Sequence, residues 1–266
     1  MQLNYYNELS SLTHIALAAL PAPAAVVVER PRNLMYQHHT IGVIIPAYNE
    51  QDSIRKVLGD IPTFVDVVVV VDNNSTDSTA EVARSCGAIV VFQPLRGYGN
   101  ACLKGMEELE KHQVDITAFL DGDYSDYPEE LELLIVPIIT NTCDFVVGSR
   151  ITGKSEDGAL LPQAIFGNWL STKLIRLIWG YRFTDLGPFR AIRSDALREL
   201  NMEDKTFGWT VEMQIKAAKH KLKCTEIPVR YRKRIGESKI SGTVKGSIKA
   251  GYKILWTIFR HAVMRR

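Results

Sequence analysis

Cysteine is scarce and scattered. The 266 residues include four, Cys86, Cys102, Cys143 and Cys224, with no Cys-x-x-Cys pair. That argues against a zinc site or a disulfide framework and fits a reducing compartment. Net charge is small as well: 32 Lys plus Arg against 30 Asp plus Glu leave +2, too balanced for a dedicated nucleic-acid binder. With 46% hydrophobic and 23% charged residues the chain is neither disordered nor collagen-like. An uninterrupted apolar span is missing. The longest mostly apolar stretch, Leu12 to Val28, holds His14, Pro21 and Pro23 and falls short of the ~20 residues that cross a bilayer. Glu8 is the only charge before it, so the basic start of a signal peptide is lacking too. No internal repeat or low-complexity tract is visible. Residues 1–40 read as an N-terminal extension without a clear pattern.

From Gly42 the sequence becomes regular. Gly42–Pro46 is an apolar strand, and Asp66–Asp72 is a second, continuously apolar one; such runs belong to strands covered on both faces. Helical stretches near Asp52–Leu58 and Ser78–Cys86 alternate with them, and further units follow. These are Ala88–Phe92, Ala101–His112, Asp115–Leu120, Glu129–Ile139 and Asp144–Val147. The alternation predicts a doubly wound, mostly parallel α/β sheet. After Arg150 the rhythm changes. Thr152–Leu161 suits a mobile loop, followed by a helix around Phe166–Ile178, a strand at Phe189–Arg193, helices near Ala196–Leu200 and Val211–His220, and a strand at Cys224–Tyr231. The expected organisation is one α/β domain over 41–241 and a helical tail over 242–266.

Ligands of open α/β sheets bind beyond the carboxyl ends of the strands. Four strand ends carry polar residues: Pro46-Ala47-Tyr48-Asn49-Glu50, Asp72-Asn73-Asn74, Asp121-Gly122-Asp123 and Gly148-Ser149-Arg150. Four on one edge point to a polar ligand. Asp121-Gly122-Asp123 is the sharpest: two carboxylates just past an apolar strand suit a hard cation bound to phosphate oxygens, or make a solvated acidic turn. Arg96-Gly97-Tyr98-Gly99-Asn100 precedes a helix, and its amides and Arg96 are placed to approach a phosphate. It lacks the Gly-Lys-Ser/Thr ending of a P-loop and the third glycine of a dinucleotide fingerprint.

Together, Ile44–Glu50, Val71–Asp77, Arg96–Asn100, Leu120–Asp123 and Gly148–Arg150 resemble the family 2 glycosyltransferases of GT-A fold. In the second half, Thr184–Arg190, Trp209–Met213, Glu226–Val229 and Arg234–Lys239 look most like the polyprenyl- or dolichyl-phosphate mannose and glucose synthases. The resemblance implies roles. Pro46, Ala47, Tyr48, Glu50, Asp72 and Asn73 would hold the base and ribose of a UDP- or GDP-hexose, with Arg96, Asp121 and Gly122 completing the nucleotide site. Asp121 and Asp123 would bind Mg²⁺ or Mn²⁺. Arg150, Arg234, Ser238 and Lys239 would surround the acceptor phosphate or the leaving diphosphate, a task the arginine fork suits. Inversion at the anomeric carbon is implied as well.

The sequence departs from the family in places. Relatives often have two aspartates where Asp72-Asn73 stands, which leaves uridine against guanosine open. Some synthases carry Gln where Ser125 stands, so Ser125 or a water would complete the cation shell. Many relatives have transmembrane helices after the catalytic domain; here a tail follows with Tyr252, Trp256 and Phe259 among Lys245, Lys249, Lys253 and Arg260. Such a basic amphipathic helix lies in a membrane interface, or packs on the catalytic domain or on a second subunit of a homo-oligomer. The expected location is cytoplasmic, peripheral on the cytoplasmic membrane face.

A polyprenyl phosphate is already an anion and needs no strong base. A hydroxyl acceptor, soluble or glycan, requires one, and Asp185 and Glu212 are the candidates, unless they serve as a turn acid and an ion-pair partner. The third reading is a non-catalytic sugar-nucleotide binding or membrane-docking module. The acids Asp121 and Asp123 count against it.

Overall fold

The computed structural model describes residues 36–236 and 244–264. The stretch Leu12–Val28 and the acceptor candidates Ser238 and Lys239 lie outside the described residues.

Fifteen elements follow in order: β1 Ile41–Ala47, α1 Ile54–Asp60, β2 Val67–Asp72, α2 Thr79–Ser85, β3 Ile89–Phe92, α3 Tyr98–Glu110, β4 Ile116–Phe119, α4 Leu131–Ile139, β5 Phe145–Ser149, α5 Pro162–Trp179, β6 Arg190–Arg193, α6 Ser194–Leu200, α7 Trp209–Lys219, β7 Cys224–Pro228 and α8 Val244–Val263. The strands form one sheet in the order β3-β2-β1-β4-β6-β5-β7. All neighbouring pairs are parallel except β4·β6 and β5·β6.

Period-two alternation explains why β1 is apolar throughout. Val43 and Ile45 join the core beneath α1 and α4, while Ile44 joins the opposite core with Trp209, Met213 and Ile215 of α7. Both faces are covered, so both side-chain sets are buried. Helices α3, α5, α6, α7 and α8 all contribute to the second core, which reaches Ile175 of α5 and Ile258 of α8.

Two differences from the sequence reading lie close to the site. The last strand ends at Pro228 rather than Tyr231, because its partner β5 ends at Ser149, which takes a last bond from Val229 N at 3.1 Å. The chain then crosses the sheet edge instead of extending it, with Arg232 N bonded to Ser125 O and Ile235 N to Asp123 O, both at 2.9 Å. This crossing also ties down the 152–161 loop, expected to be mobile: Tyr231 N meets Lys154 O at 3.0 Å and Glu156 N meets Tyr231 O at 2.8 Å.

Candidate active site

Because β6 opposes both β4 and β5, β4 and β5 run the same way as β1 and β2. All four polar strand ends therefore share one edge. At the first, Ala47 is paired in register with Asp72. Asp72 is buried, and its Oδ1 accepts from Ser75 N at 3.0 Å, closing the turn into α2. Glu50 Oε2 accepts from Ser53 Oγ at 3.0 Å ahead of α1. Tyr48 is half-buried beyond Pro46, and the Arg96 guanidinium stacks on its ring at 3.8 Å. Pro46, Ala47, Tyr48, Glu50, Asp72 and Arg96 thus come together.

The Asn73 side chain is engaged within the protein. Its amide nitrogen donates to Gln93 O and Leu95 O at 3.1 and 2.8 Å, and its oxygen accepts from Gly97 N at 2.8 Å. It fastens the loop after β3 to the end of β2. The glycine loop corrects the sequence reading more strongly. Its amides do not face a phosphate: Gly99 N donates to Thr206 O at 3.2 Å and Asn100 N to Lys205 O at 2.9 Å. A Cβ on Gly97, whose φ is +145°, would lie 2.2 Å from Lys205 O, and one on Gly99 would lie 1.9 Å from Asp204 O. These glycines permit two backbones to touch.

Past β4 three carboxylates crowd together. Asp123 is buried; its Oδ1 accepts from Ser125 N at 2.9 Å and its Oδ2 pairs with Arg234 Nη1 at 2.7 Å. Gly122 sits between the acids where a Cβ would come 3.2 Å from Pro46 O. Asp126 Oδ1 and Ser125 Oγ are buried without a hydrogen-bond partner, and the buried Tyr98 hydroxyl lies against the Asp121 carboxyl. Burial, with Asp123 and Asp126 nearby, holds the Asp121 carboxyl well above the usual range against the pull of Arg234. Burial and Asp123 push Asp126 up to about 7. Unpartnered buried carboxylate oxygens are costly, and an oxygen-seeking divalent cation fits them. Among the described residues no group of three or more His, Cys, Asp or Glu side chains could hold a metal ion by itself. A cation here would therefore take its remaining ligands from phosphate and water, as Mg²⁺ commonly does.

The basic residues come from the second half. Arg150, after β5, pairs bidentately with the fully buried Asp185: Nε–Oδ2 at 2.8 Å and Nη2–Oδ1 at 2.7 Å, with the Arg150 amide on Oδ2 at 2.8 Å. Burial raises the Asp185 pKa, but Arg150 and Arg190 outweigh it and the net shift is downward. The Asp185 loop is held from two sides. Glu226 accepts from Thr184 N, Thr184 Oγ1 and Asp185 N, and Asn168 of α5 bonds Thr184 O and Leu186 N, each at 2.7 Å. Glu212 lies elsewhere, on α7. It accepts from the amides of Glu203 and Asp204 and pairs with Lys216 at 3.0 Å, the ion-pair role that the sequence left open.

Sequence reasoning missed Asp126, Arg190 and Arg232. Asp126 had a signal, a third acid three residues after Asp123. Arg232 stacks on Tyr124 at 3.3 Å and donates to Tyr124 O and Asp126 O at 2.6 and 3.0 Å, bracing the acidic turn. Arg190 is wholly buried at the start of β6, and its guanidinium donates to the carbonyls of Leu186, Gly187 and Thr210. Burial lowers it to about 10. Nothing in a one-dimensional pattern marks an arginine as interior.

Residues 42–200 match the model of the family described as "Glycosyl transferase family 2". An uncharacterised glycosyltransferase of Mycobacterium tuberculosis is 34% identical over 215 residues, 79% of this chain and 94% of that protein. An undecaprenyl-phosphate mannosyltransferase of Micrococcus luteus is 31% identical over 218 residues, covering 76% and 88%. Among solved structures, glucosyl-3-phosphoglycerate synthase of Mycobacterium tuberculosis, in complex with Mn²⁺, UDP and glucosyl-3-phosphoglycerate, superposes with a TM-score of 0.65 at 22% identity, over 85% of this chain and 81% of that one. The shared architecture is the GT-A fold.

Proposed function

This chain belongs to glycosyl transferase family 2, and we propose that this glycosyltransferase moves a hexose, glucose or mannose, from a nucleoside diphosphate sugar to a polyprenyl phosphate with inversion. In this reading residues 41–241 are the catalytic unit and 242–266 the basic amphipathic helix. The observation that carries it is the meeting of Asp121 and Asp123 with Arg234 at one sheet edge. Acids that would hold a cation stand beside a base that would meet a phosphate. The matching relative named for an undecaprenyl-phosphate substrate supports the lipid acceptor.

Tyr48, with Arg96 stacked on it, Glu50 and Asp72 would hold the nucleoside. Asp121 and Asp123 would hold Mg²⁺ or Mn²⁺, which when bound supplies Lewis-acid stabilisation of the departing diphosphate. Arg234, paired with Asp123 at 2.7 Å, would offer its guanidinium to phosphate oxygens. Arg150, fixed in orientation by Asp185, offers a preorganised positive charge. Asp185 and Glu212, the two acids a hydroxyl acceptor would need as base, are both engaged by cations and backbone amides. A phosphate acceptor needs no base and is compatible with their engagement.

The test pairs binding with turnover. A thermal-shift panel of UDP- and GDP-hexoses with and without Mn²⁺ identifies the donor, because a ligand of the folded state raises Tm. Transfer is then measured to short-chain polyprenyl phosphate and to hydroxyl acceptors. Transfer to the lipid phosphate is expected. Transfer to hydroxyls alone overturns the acceptor, and binding without any turnover favours a non-catalytic module.

A further inference from the structure

Tyr124 stands between Asp123 and Ser125 with a φ of +65°, in the left-handed region. A bulky side chain there is an outlier, sustained only where its surroundings over-determine it, and such residues gather at functional sites. The reversal brings Ser125 N to Asp123 Oδ1 at 2.9 Å and leaves Oδ2 facing Arg234 at 2.7 Å. The backbone of Tyr124 therefore sets how the Asp123 carboxylate is turned.

That tyrosine is held from α1 on one side and from the chain after β7 on the other. Its hydroxyl donates to Asp60 Oδ2, at the end of α1, at 2.7 Å. Its ring carries the Arg232 guanidinium at 3.3 Å, with Lys56 Nζ of α1 lying 5.8 Å from the ring centre. Its carbonyl accepts from Arg232 Nε at 2.6 Å. Arg232 spans the rest of the turn as well. Its Nη2 reaches Asp126 O at 3.0 Å, its amide reaches Ser125 O at 2.9 Å, and the Tyr127 ring lies at 4.2 Å. Asp60 Oδ2 stands 3.7 Å from the same guanidinium.

Arg230, Arg232 and Arg234 alternate along the chain after β7, and all three meet the segment that follows β4. Their tasks differ. Arg230 pairs with Glu129 and Glu130, and Arg234 pairs with Asp123 itself. Arg232, its side chain only 14% exposed, is spent on two backbone carbonyls and two aromatic rings. It faces the turn, not a ligand.

We propose that Tyr124 and Arg232 are positioning residues for Asp123: Arg232 locks Tyr124 in its left-handed conformation, and this sets the carboxylate for the cation. Neither residue touches substrate or metal, since the ring, hydroxyl and carbonyl of Tyr124 are all engaged inside the protein. A guanidinium suits the task because it is planar. It lies flat on a ring while its edge donates to two carbonyls, which the point charge of an ammonium does not match. The proposal rests on the reading of Asp123 as a cation ligand.

The test is calorimetric titration of Mn²⁺ into the full chain with UDP or GDP present. The parent is compared with Arg232→Lys, Tyr124→Phe and the double variant. Arg232→Lys keeps the charge and loses the planar fork. Its Mn²⁺ affinity is expected to fall by about tenfold to a hundredfold, the usual cost of losing a group that orients a metal ligand. Tyr124→Phe keeps the ring and loses only the bond to Asp60, so a smaller fall is expected. Because the two residues form one clamp, the double variant should lose less than the product of the single losses. Melting curves without metal confirm that each titration is made on folded protein. A merely structural role lowers Tm and leaves the affinity of the folded protein unchanged; that result in either single variant overturns the proposal. So do losses that simply multiply. Tyr124→Phe decides alone if Arg232→Lys does not fold. A parent that binds Mn²⁺ with neither nucleotide ends the cation reading and the proposal together, whereas variants that match a binding parent end the proposal only.

Discussion

Arg234 Nη1 lies 2.7 Å from Asp123 Oδ2, joining the segment after β7 to the acidic turn after β4. The two residues are 111 positions apart in sequence, and Ile235 N on Asp123 O repeats the link through the backbone. In the proposed reading the base would meet a phosphate and the acid a cation. Asp123→Ala is expected to cut transfer by at least about 10²–10³-fold, the scale of losing one transition-state stabilising group, with circular dichroism unchanged. A chelator should give the same loss in the parent, restored by Mn²⁺. Full activity in Asp123→Ala would refute the assignment.

Asn73 anchors the loop after β3 through three hydrogen bonds. Asn73→Ala leaves two carbonyls and the Gly97 amide without that partner. A stability loss of about 1–3 kcal/mol follows, read by urea titration, together with a higher KM for the donor as Arg96 loses its support over Tyr48.

Gly99→Ala separates packing from phosphate binding in the glycine loop. With a Cβ 1.9 Å from Asp204 O, the loop must move. The expected cost is about 1–3 kcal/mol, typical of overpacking, in the absence of any nucleotide. A variant as stable as the parent would remove the packing account.

The Arg150–Asp185 pair makes a pH prediction. The folded pKa of Asp185 lies below its ordinary 3.8, so its stabilising contribution is complete above that value and is lost as pH falls through the lower folded one. Asp185→Asn leaves Arg150 partly buried without its counter-charge. A loss of about 3–5 kcal/mol is expected near neutral pH, and the variant's stability should depend less on pH below 4 than the parent's. Tm measured from pH 2 to 7 checks both.

Glu212→Gln distinguishes a scaffold acid from a base. Its carboxylate holds the amides of Glu203 and Asp204, and the neighbouring Thr206 and Lys205 carbonyls hold the start of α3. A lower Tm is expected, with kcat for the phosphate acceptor changed less than about tenfold, below the 10²–10⁴ that general bases contribute. A kcat loss at unchanged Tm would instead make Glu212 the base.

Much of this molecule is legible in one dimension because its cause is local. The apolar run Val67–Val71 can only be a strand covered on both faces, and polar residues at the ends of such strands announce the ligand edge. Asp121 and Asp123 stand out for the same reason: one small residue between two acids, directly after an apolar strand. The contacts of Gly97 and Gly99 were not legible. Glycine before a helix looks alike whether the backbone approaches a phosphate or another backbone, and only the position of Lys205 and Thr206, over a hundred residues away, decides which.

By itself, then, the sequence determined the alternating α/β order, the shared polar edge and the placing of Asp121 and Asp123 at it, since each follows from periodicity or from adjacency along the chain. The tertiary structure alone decided that Arg234 closes on Asp123, that Asp185 is taken up by Arg150 and that Asp126 joins the acidic cluster. These depend on which distant segments meet, and on the burial that sets the cost of leaving a charge unpaired.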